Sequence, residues 1–448
     1  MGFYSVIPCL FMITFLLVLA STPLFRAADS PPTDVAARVS TIDGLRGLLA
    51  LAVFFHHAAI WHQYAVIGEW RVPPSRFYTN LGPGGVSLFF MITGYLFWSQ
   101  MLKARGRPNY LKLYLGRLFR IVPLYLVLAL IILGTVGFAT HWRLNESPFE
   151  VSKEVASLLA GGAMNIPPEI NGYDGAVLIA ANVTWTLRYE WIFYASLIVT
   201  AFFARNRAVG LFVPLVGLVT AALLVVFGPD PRDAALTMLF SIGMIAAAIQ
   251  KPLGSVLAEI PQWALSTAAI AAVLLPVVSL NGLYGVVPAA LLGVGFLLIV
   301  SGATLFGLLA MRPARRLGDI SYGIYLLQGP VLALAFSVPA LRVASGASPA
   351  VHWTVVTIAA AALTAFATVT HSLVERPGIQ AGQRAFRLEG SPGLSAVAPP
   401  RPKRFRSPQR PQRKFRSDAR PFATSEAHAK SIRLIKRILG SSFDWLGP

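Results

Sequence analysis

Apolar runs of about 16 to 25 residues alternate with short polar connections along most of the chain. Runs of this length match the ~20 residues that a helix needs to cross a ~30 Å hydrocarbon core. The predicted fold class is therefore all-α, a polytopic helical membrane protein. The pattern predicts ten core transmembrane helices, near residues 45–62, 84–102, 118–140, 187–204, 208–227, 234–249, 262–280, 285–309, 320–340 and 352–374.

The composition agrees with this pattern. Hydrophobic residues make up 55% of the 448 residues and charged residues only 13%, and the mean hydropathy is +0.63. Soluble globular domains carry about 25% charged residues, so that class is excluded. The single cysteine, Cys9, leaves no intramolecular disulfide and no cysteine-based zinc cluster, and we expect no metal site.

Two regions lie outside the predicted core at 40–377. Residues 3–25 form an extra apolar run without a basic start, so we interpret residues 1–27 as an added N-terminal helix or as sequence upstream of the true start. The Arg-Ala-Ala that follows this run leaves a cleaved signal peptide open. Residues 378–448 are rich in Pro and Arg, which predicts a largely disordered basic tail with an interfacial amphipathic helix at 427–439.

The basic residues are distributed unevenly between alternate loops. One set of loops contains twelve Lys and Arg residues and the other six, and the tail adds fifteen to the richer side. Because such residues gather on the cytoplasmic side, we expect a multi-pass protein of the cell inner membrane with a cytoplasmic tail against anionic lipid. The net charge of +19 does not favour a nucleic-acid partner, since no recognition fold accompanies it.

The first core segment carries two ionisable residues within TIDGLRGLLALAVFFHHAA, at 41–59. Arg46 and His57 are eleven residues apart, which gives them nearly the same azimuth on a helix and separates them by roughly 16 Å along its axis. An imidazole near the middle of a membrane usually marks a functional path. The structural alternative is that Arg46 snorkels to the headgroups and that His57 hydrogen-bonds a neighbouring helix.

Other polar residues lie near the predicted helix ends. Arg117 and Arg120 share one helix face level with Arg46, so the three guanidiniums can form an anion clamp, although the positive-inside rule alone would also explain them. Glu190, with Arg188 nearby, is either a paired structural acid or a substrate ligand.

The last two segments also have polar ends. Asp319 and Ser321 are interpreted first as residues that start a helix, but Ser321 and Tyr325 are kept with Glu190 as candidate substrate-binding residues. Pro377 predicts the end of the tenth helix, because proline cannot donate a helical hydrogen bond.

Taken together, six motifs resemble the acyltransferase-3 family of integral-membrane acyltransferases, which modify surface polysaccharides, lipids and other acceptors. The resemblance covers residues from about 40 to 377 and depends on the order of the motifs as well as on their content. The motifs are IDGLRG with the following His, GPGGVSLFFMITGYLF, RLFRIVPLY, WTLRYEWIFY, LGDISYGIYL and VERP.

The resemblance implies transfer of an acyl group, often acetyl, from cytoplasmic acyl-coenzyme A to a hydroxyl of a cell-surface glycan or lipid-linked acceptor. By motif position, the functional set comprises Arg46, His57, Arg117 and Arg120, while His56 is one residue off the family spacing. Acyl-coenzyme A is then a co-substrate, and no bound cofactor is expected. The family often has a histidine where this chain has Gln328, so that role is absent or replaced here.

These observations lead to one mechanistic hypothesis and one rival. In the hypothesis, arginines hold the donor phosphates while neutral His57 acts as general base on the acceptor hydroxyl, and direct transfer and a covalent acyl-enzyme are both open. The rival is a transporter or flippase for an anionic lipid or acyl compound, in which His57 and Glu190 relay protons. It would move its substrate without consuming a thioester.

Overall fold

The computed structural model describes residues 2–29 and 40–389, and almost all of their regular structure is helical. The helices are α1 (Ile7–Ser21), α2 (Ser40–Ile67), α3 (Arg76–Lys103), α4 (Tyr110–Ala139), α5 (Pro148–Leu159), α6 (Ala176–Ile179), α7 (Trp185–Thr200), α8 (Arg207–Phe227), α9 (Pro231–Leu257), α10 (Gln262–Ser279), α11 (Val286–Val300), α12 (Arg312–Asp319), α13 (Ser321–Ser337), α14 (Pro339–Ala347), α15 (Pro349–Thr370) and α16 (Arg376–Glu389).

Each predicted apolar segment coincides with a helix, but not every helix is long enough to span a bilayer. Among the described residues, seven helices have the required length and apolar composition: α2, α3, α4, α8, α9, α10, and α15 with its continuation to Arg384. The bent pair α12 and α13 makes an eighth if it counts as one span. With 15 residues each, α1 and α11 extend only about 22 Å. The all-helical membrane fold is confirmed, whereas the count of ten plus one is not.

Helices α2 and α3 lie at the centre of the bundle. In the most apolar stretch of α2, 83% is buried, against 17% for α8, which lies at the periphery. Helix α2 contacts α3, α12, α13 and α14, and α3 also packs along α9. A polar side chain on α2 or α3 therefore faces protein on most sides, and it must find its partners there.

Two predicted helix boundaries were wrong. Asp319 ends α12 instead of starting a helix, and the chain bends by 66° before α13 begins at Ser321. Pro377 does not end the tenth helix, because a π-turn at His371–Glu375 joins α15 to α16. There the backbone N–H of Arg376 donates to the carbonyl of His371, and the helix continues through Pro377 directly after this π-turn.

The N-terminal apolar segment packs into the bundle. Helix α1 contacts α12 and α15, and Met12 and Leu16 are fully buried. Asp29, which follows this segment, forms ion pairs of 2.6 Å with Arg316 and with Arg312. Hydrogen bonds from Arg316, and secondly from Arg312, lower the pKa of the Asp29 carboxyl to about 2, against the opposing effect of desolvation. A charged cluster thus fixes residues 2–29 to α12.

The region after Pro377 begins as a helix. Helix α16 packs against α4 and extends the last core helix to Glu389. The remainder of the predicted basic tail, with the amphipathic segment at 427–439, lies outside the described residues.

Candidate active site

Three guanidiniums and a carboxylate line one cavity between α2, α3, α4, α7 and α13. The cavity has a volume of about 130 Å³, and we call it the arginine cavity. It brings together six of the seven site residues predicted from the sequence, although their roles stay predictions. These six residues are Arg46, Arg117, Arg120, Glu190, Ser321 and Tyr325.

Arg117 and Glu190 are held in place within this cavity. The guanidinium of Arg117 lies over the ring of Phe97, 4.3 Å from its centroid, and 5.9 Å from the centroid of the Tyr194 ring. The Tyr194 hydroxyl donates to the carboxylate of Glu190, one helical turn away. All three arginines lie close enough to attract Glu190 electrostatically. Arg188, by contrast, is exposed, so the pairing considered from the sequence is replaced by contacts between helices.

His57 lines a second cavity, of about 210 Å³, which we call the histidine cavity. It lies between α2, α3, the start of α7, the start of α9 and α13. The neighbouring His56 lines the same cavity, and the two rings meet edge to face with centroids 5.0 Å apart. Both histidines are buried, so the His57 ring faces the bundle interior and not lipid.

The hydrogen bonds of the two histidines define their neutral tautomers. Nδ1 of His57 is 2.9 Å from the carbonyl of Val53, and Nδ1 of His56 is 2.8 Å from the carbonyl of Tyr78. A carbonyl only accepts, so in both rings Nδ1 carries the hydrogen and Nε2 keeps its lone pair. For His56 the ring packs against Gly82, where any side chain would collide with it. In the neutral ring of His57, Nε2 is therefore the nitrogen that can accept a proton.

Tyr325 separates the two cavities. It lines both of them, as does Val86, so the cavities adjoin at this side chain. The Tyr325 hydroxyl donates to the carbonyl of Val183 at 3.1 Å and lies 2.9 Å from the hydroxyl of Thr186. Ser321 lies one turn earlier on α13, and its hydroxyl donates to the carbonyl of Gly318 at 2.7 Å. Helix α13 thus contributes to both sites.

Gln328 lies beside His57, at the position where the family that the motifs resemble often has a histidine. Its Nε2 donates to the carbonyl of Tyr325 at 2.8 Å, while its Oε1 is buried and has no hydrogen-bond partner among the described residues. The amide lies next to the His57 ring, as does the backbone of Ala181. A buried oxygen without a partner is costly, so its position next to a titratable ring calls for an explanation.

The sequence did not indicate several residues that line the histidine cavity. Residues 181–183 enter it from the loop before α7, with Ala181 and Asn182 in the left-handed region at φ 48° and 50°. Ala180 packs against Gly329 so closely that a side chain at position 329 would clash. Arg232 comes from the first turn of α9, and Tyr284 comes from the loop between α10 and α11. Paired left-handed residues are not recognisable in a sequence without glycine, so no signal marked this loop.

Comparison with known proteins identifies the family. The family model described as an acyltransferase domain matches residues 39–370, and this range includes every residue that lines the two cavities. No curated protein and no solved structure shows significant similarity to the chain. The family match covers well over half of the sequence and includes five of the six motifs quoted above, while VERP at 374–377 follows the matched range. The chain therefore belongs to the acyltransferase-3 family and is a membrane acyltransferase.

Proposed function

We propose that the protein transfers an acyl group, acetyl in the simplest case, from cytoplasmic acyl-coenzyme A to a hydroxyl of a cell-surface glycan or lipid-linked acceptor. The donor binds in the arginine cavity and the acceptor in the histidine cavity. One observation supports this assignment above all others. Two cavities of different chemistry adjoin at one side chain, Tyr325, as a reaction between two different substrates requires.

The arginine cavity suits the phosphates of coenzyme A. Its three guanidiniums exceed the single carboxylate of Glu190, so the cavity has a formal charge of about +2 before a ligand binds. Arginine binds phosphate through two parallel hydrogen bonds, and the stacking of Arg117 on Phe97 limits the rotamer entropy lost on binding. The thioester at the end of the pantetheine arm then extends toward Tyr325 and the histidine cavity.

His57 is the general base of the proposed reaction. Its Nε2 takes the proton of the acceptor hydroxyl, and the oxygen attacks the thioester carbonyl. The C–O bond forms, the C–S bond breaks, and His57 returns the proton to the leaving thiolate. The bond from Nδ1 to the carbonyl of Val53 holds the ring in the tautomer that this step needs.

Gln328 supports the protonated form of His57. When Nε2 gains a proton, the ring needs a second acceptor, and Oε1 of Gln328 is buried beside it without a partner. The glutamine oxygen can therefore stabilise the imidazolium that forms during transfer. In this role Gln328 takes the place of the histidine that the family often has at this position.

The decisive experiment compares two adjacent histidines. Membranes that contain the full-length protein receive radiolabelled acetyl-coenzyme A, and the label is measured in glycan and lipid fractions. General-base catalysis contributes roughly 10²- to 10⁴-fold, so His57→Ala should lower transfer by at least ~100-fold. His56→Gln is the matched control, since His56 lines the same cavity, and it should retain activity within about tenfold.

The outcomes separate the proposal from its rivals. Unchanged transfer in His57→Ala would remove the histidine from the chemistry, and equal losses in both variants would indicate a structural role for the pair. Movement of an acyl compound or anionic lipid across the membrane without thioester consumption would favour a transporter. Recovery of each variant protein in the membrane fraction verifies that it is inserted.

A further inference from the structure

We propose that the acceptor is a sugar that carries a negative charge, a carboxylate or a phosphate, and that Arg232 recognises this charge in the histidine cavity. The proposal depends on the proposed function in one respect, the assignment of the acceptor to this cavity. It goes further by naming the chemical class of the acceptor and the residue that selects it.

Arg232 is held against the cavity wall by aromatic rings. Its guanidinium carbon lies 4.6 Å from the centroid of the Trp185 ring and 6.0 Å from that of Tyr284, and all three residues line the histidine cavity. Stacking on an aromatic face occupies the plane of a guanidinium and leaves its N–H edge free to bind an anion. Arg232 is exposed, and its stack on Trp185 keeps the guanidinium at the edge of the cavity.

The charge of Arg232 is not balanced within the cavity. None of the described residues that line the cavity is acidic, and Arg232 forms no ion pair with any carboxylate in the described part of the chain. The nearby Asp230 and Asp233 line a different cavity, and Asp233 accepts a hydrogen bond of 2.7 Å from Tyr189. A positive group beside a cavity without acids favours an anionic ligand.

The remaining wall of the cavity is suited to a sugar ring. Two tryptophans, Trp70 and Trp185, line the cavity together with the polar residue Asn182. Binding sites for small ligands typically combine apolar aromatic walls with a few polar groups that fix orientation. Such a wall can pack on a pyranose ring while Arg232 holds its charged substituent and His57 faces one of its hydroxyls. The three contacts together orient one hydroxyl toward the base.

The test measures binding without any acyl donor. The full-length protein in detergent is titrated with methyl β-glucuronide, with glucose 1-phosphate and with neutral methyl β-glucoside, and binding is measured by quenching of the fluorescence of its tryptophans, two of which line the cavity. A charge-assisted hydrogen bond contributes about one order of magnitude in affinity, so at least one charged sugar should bind about tenfold tighter than the neutral one. The charged sugar that binds more tightly shows whether the cavity prefers a carboxylate or a phosphate.

Two variants identify the residue responsible. Arg232→Gln should abolish the preference for charge and leave binding of methyl β-glucoside unchanged. Arg188→Gln is the control, because Arg188 is exposed like Arg232 but lines neither cavity, and it should keep the preference. Equal affinity for the three sugars, no binding of any of them, or the same loss in both variants would overturn the proposal. Because no donor is present, these outcomes are independent of the transfer assay with His57→Ala.

Discussion

The two cavities contain different kinds of polar group, charged guanidiniums in one and neutral imidazoles in the other. The arginine cavity gathers three like charges and offsets them with one carboxylate, an aromatic stack and a tyrosine hydroxyl. The histidine cavity contains two neutral rings whose hydrogen-bond donors are already satisfied by carbonyls. The first has three arginines and one glutamate in its lining, whereas Arg232 is the one Lys, Arg, Asp or Glu among the described residues that line the second. Under the proposed function, the difference corresponds to attraction of a polyanionic donor in the arginine cavity and proton transfer in the histidine cavity.

Tyr325 and Val86 form the boundary between the two cavities. Charged groups in a medium of low dielectric interact over long distances, so guanidiniums next to His57 would disfavour its protonated form. Tyr325 and Val86 keep the two sets of groups apart while the cavities still adjoin. Under the proposed function, this separation keeps the three guanidiniums of the donor site away from the base, and Arg232 is the one Lys or Arg among the described residues that line the histidine cavity. If the two cavities have separate roles, substitutions in each should change different steps of the reaction.

The largest effect in the arginine cavity is expected for Arg117→Lys. Lysine keeps the charge but loses both the planar stack on Phe97 and the bidentate fork. The KM for acyl-coenzyme A should rise by about tenfold, which corresponds to ~1.4 kcal/mol of transition-state stabilisation, and the KM for the acceptor should stay unchanged. Arg120→Lys is the matched variant and should change the donor KM by less than about threefold, since a guanidinium without such a stack is replaced more easily. An increase in the acceptor KM instead would reverse the assignment of the cavities.

A smaller effect is expected for Tyr325→Phe, which alters the boundary itself. The substitution removes the hydroxyl that bridges Val183 and Thr186, and one such hydrogen bond contributes about 1 kcal/mol, or roughly fivefold in rate. Transfer should fall by about that factor, and the fraction of thioester lost to hydrolysis should rise. In Tyr322→Phe, a hydroxyl that donates to Ile121 at 2.9 Å is lost from the arginine cavity alone. That control should leave the ratio of hydrolysis to transfer unchanged, and the same rise in both variants would contradict a boundary role for Tyr325.

The smallest effect on transfer is expected at Asp29, which lines neither cavity. In Asp29→Asn, Arg316 loses its ion pair, so thermal stability in detergent should fall while the transfer rate per folded molecule stays unchanged. The folded pKa of Asp29, about 2, is below its ordinary value of 3.8, so this stabilisation is present above pH ~4 and is lost as the pH falls toward 2. The difference in Tm between the two proteins should therefore shrink over that interval. A constant difference would show that the charge of Asp29 is not its source.

Local periodicity accounts for what could be predicted about the site. The spacing of Arg46 and His57 and that of Arg117 and Arg120 are properties of single helices, because the helical repeat alone determines which side chains share a face. Helix α2 contains the first pair and α4 the second, as predicted, and Arg46, Arg117 and Arg120 line one cavity. The helix boundaries at Asp319 and Pro377 were less predictable, since a 66° bend and a π-turn depend on the neighbouring helices.

The sequence by itself determined the class of the protein, the approximate positions of its helices and the family motifs, because apolar run length and local spacing encode all three. Only the tertiary structure decided that Glu190 lies with the arginines, that Tyr325 separates two cavities, and that Arg232 shares one of them with His57. These neighbours come from helices and loops far apart in the chain. Their proximity depends on how the helices pack, and no local pattern of residues encodes that packing.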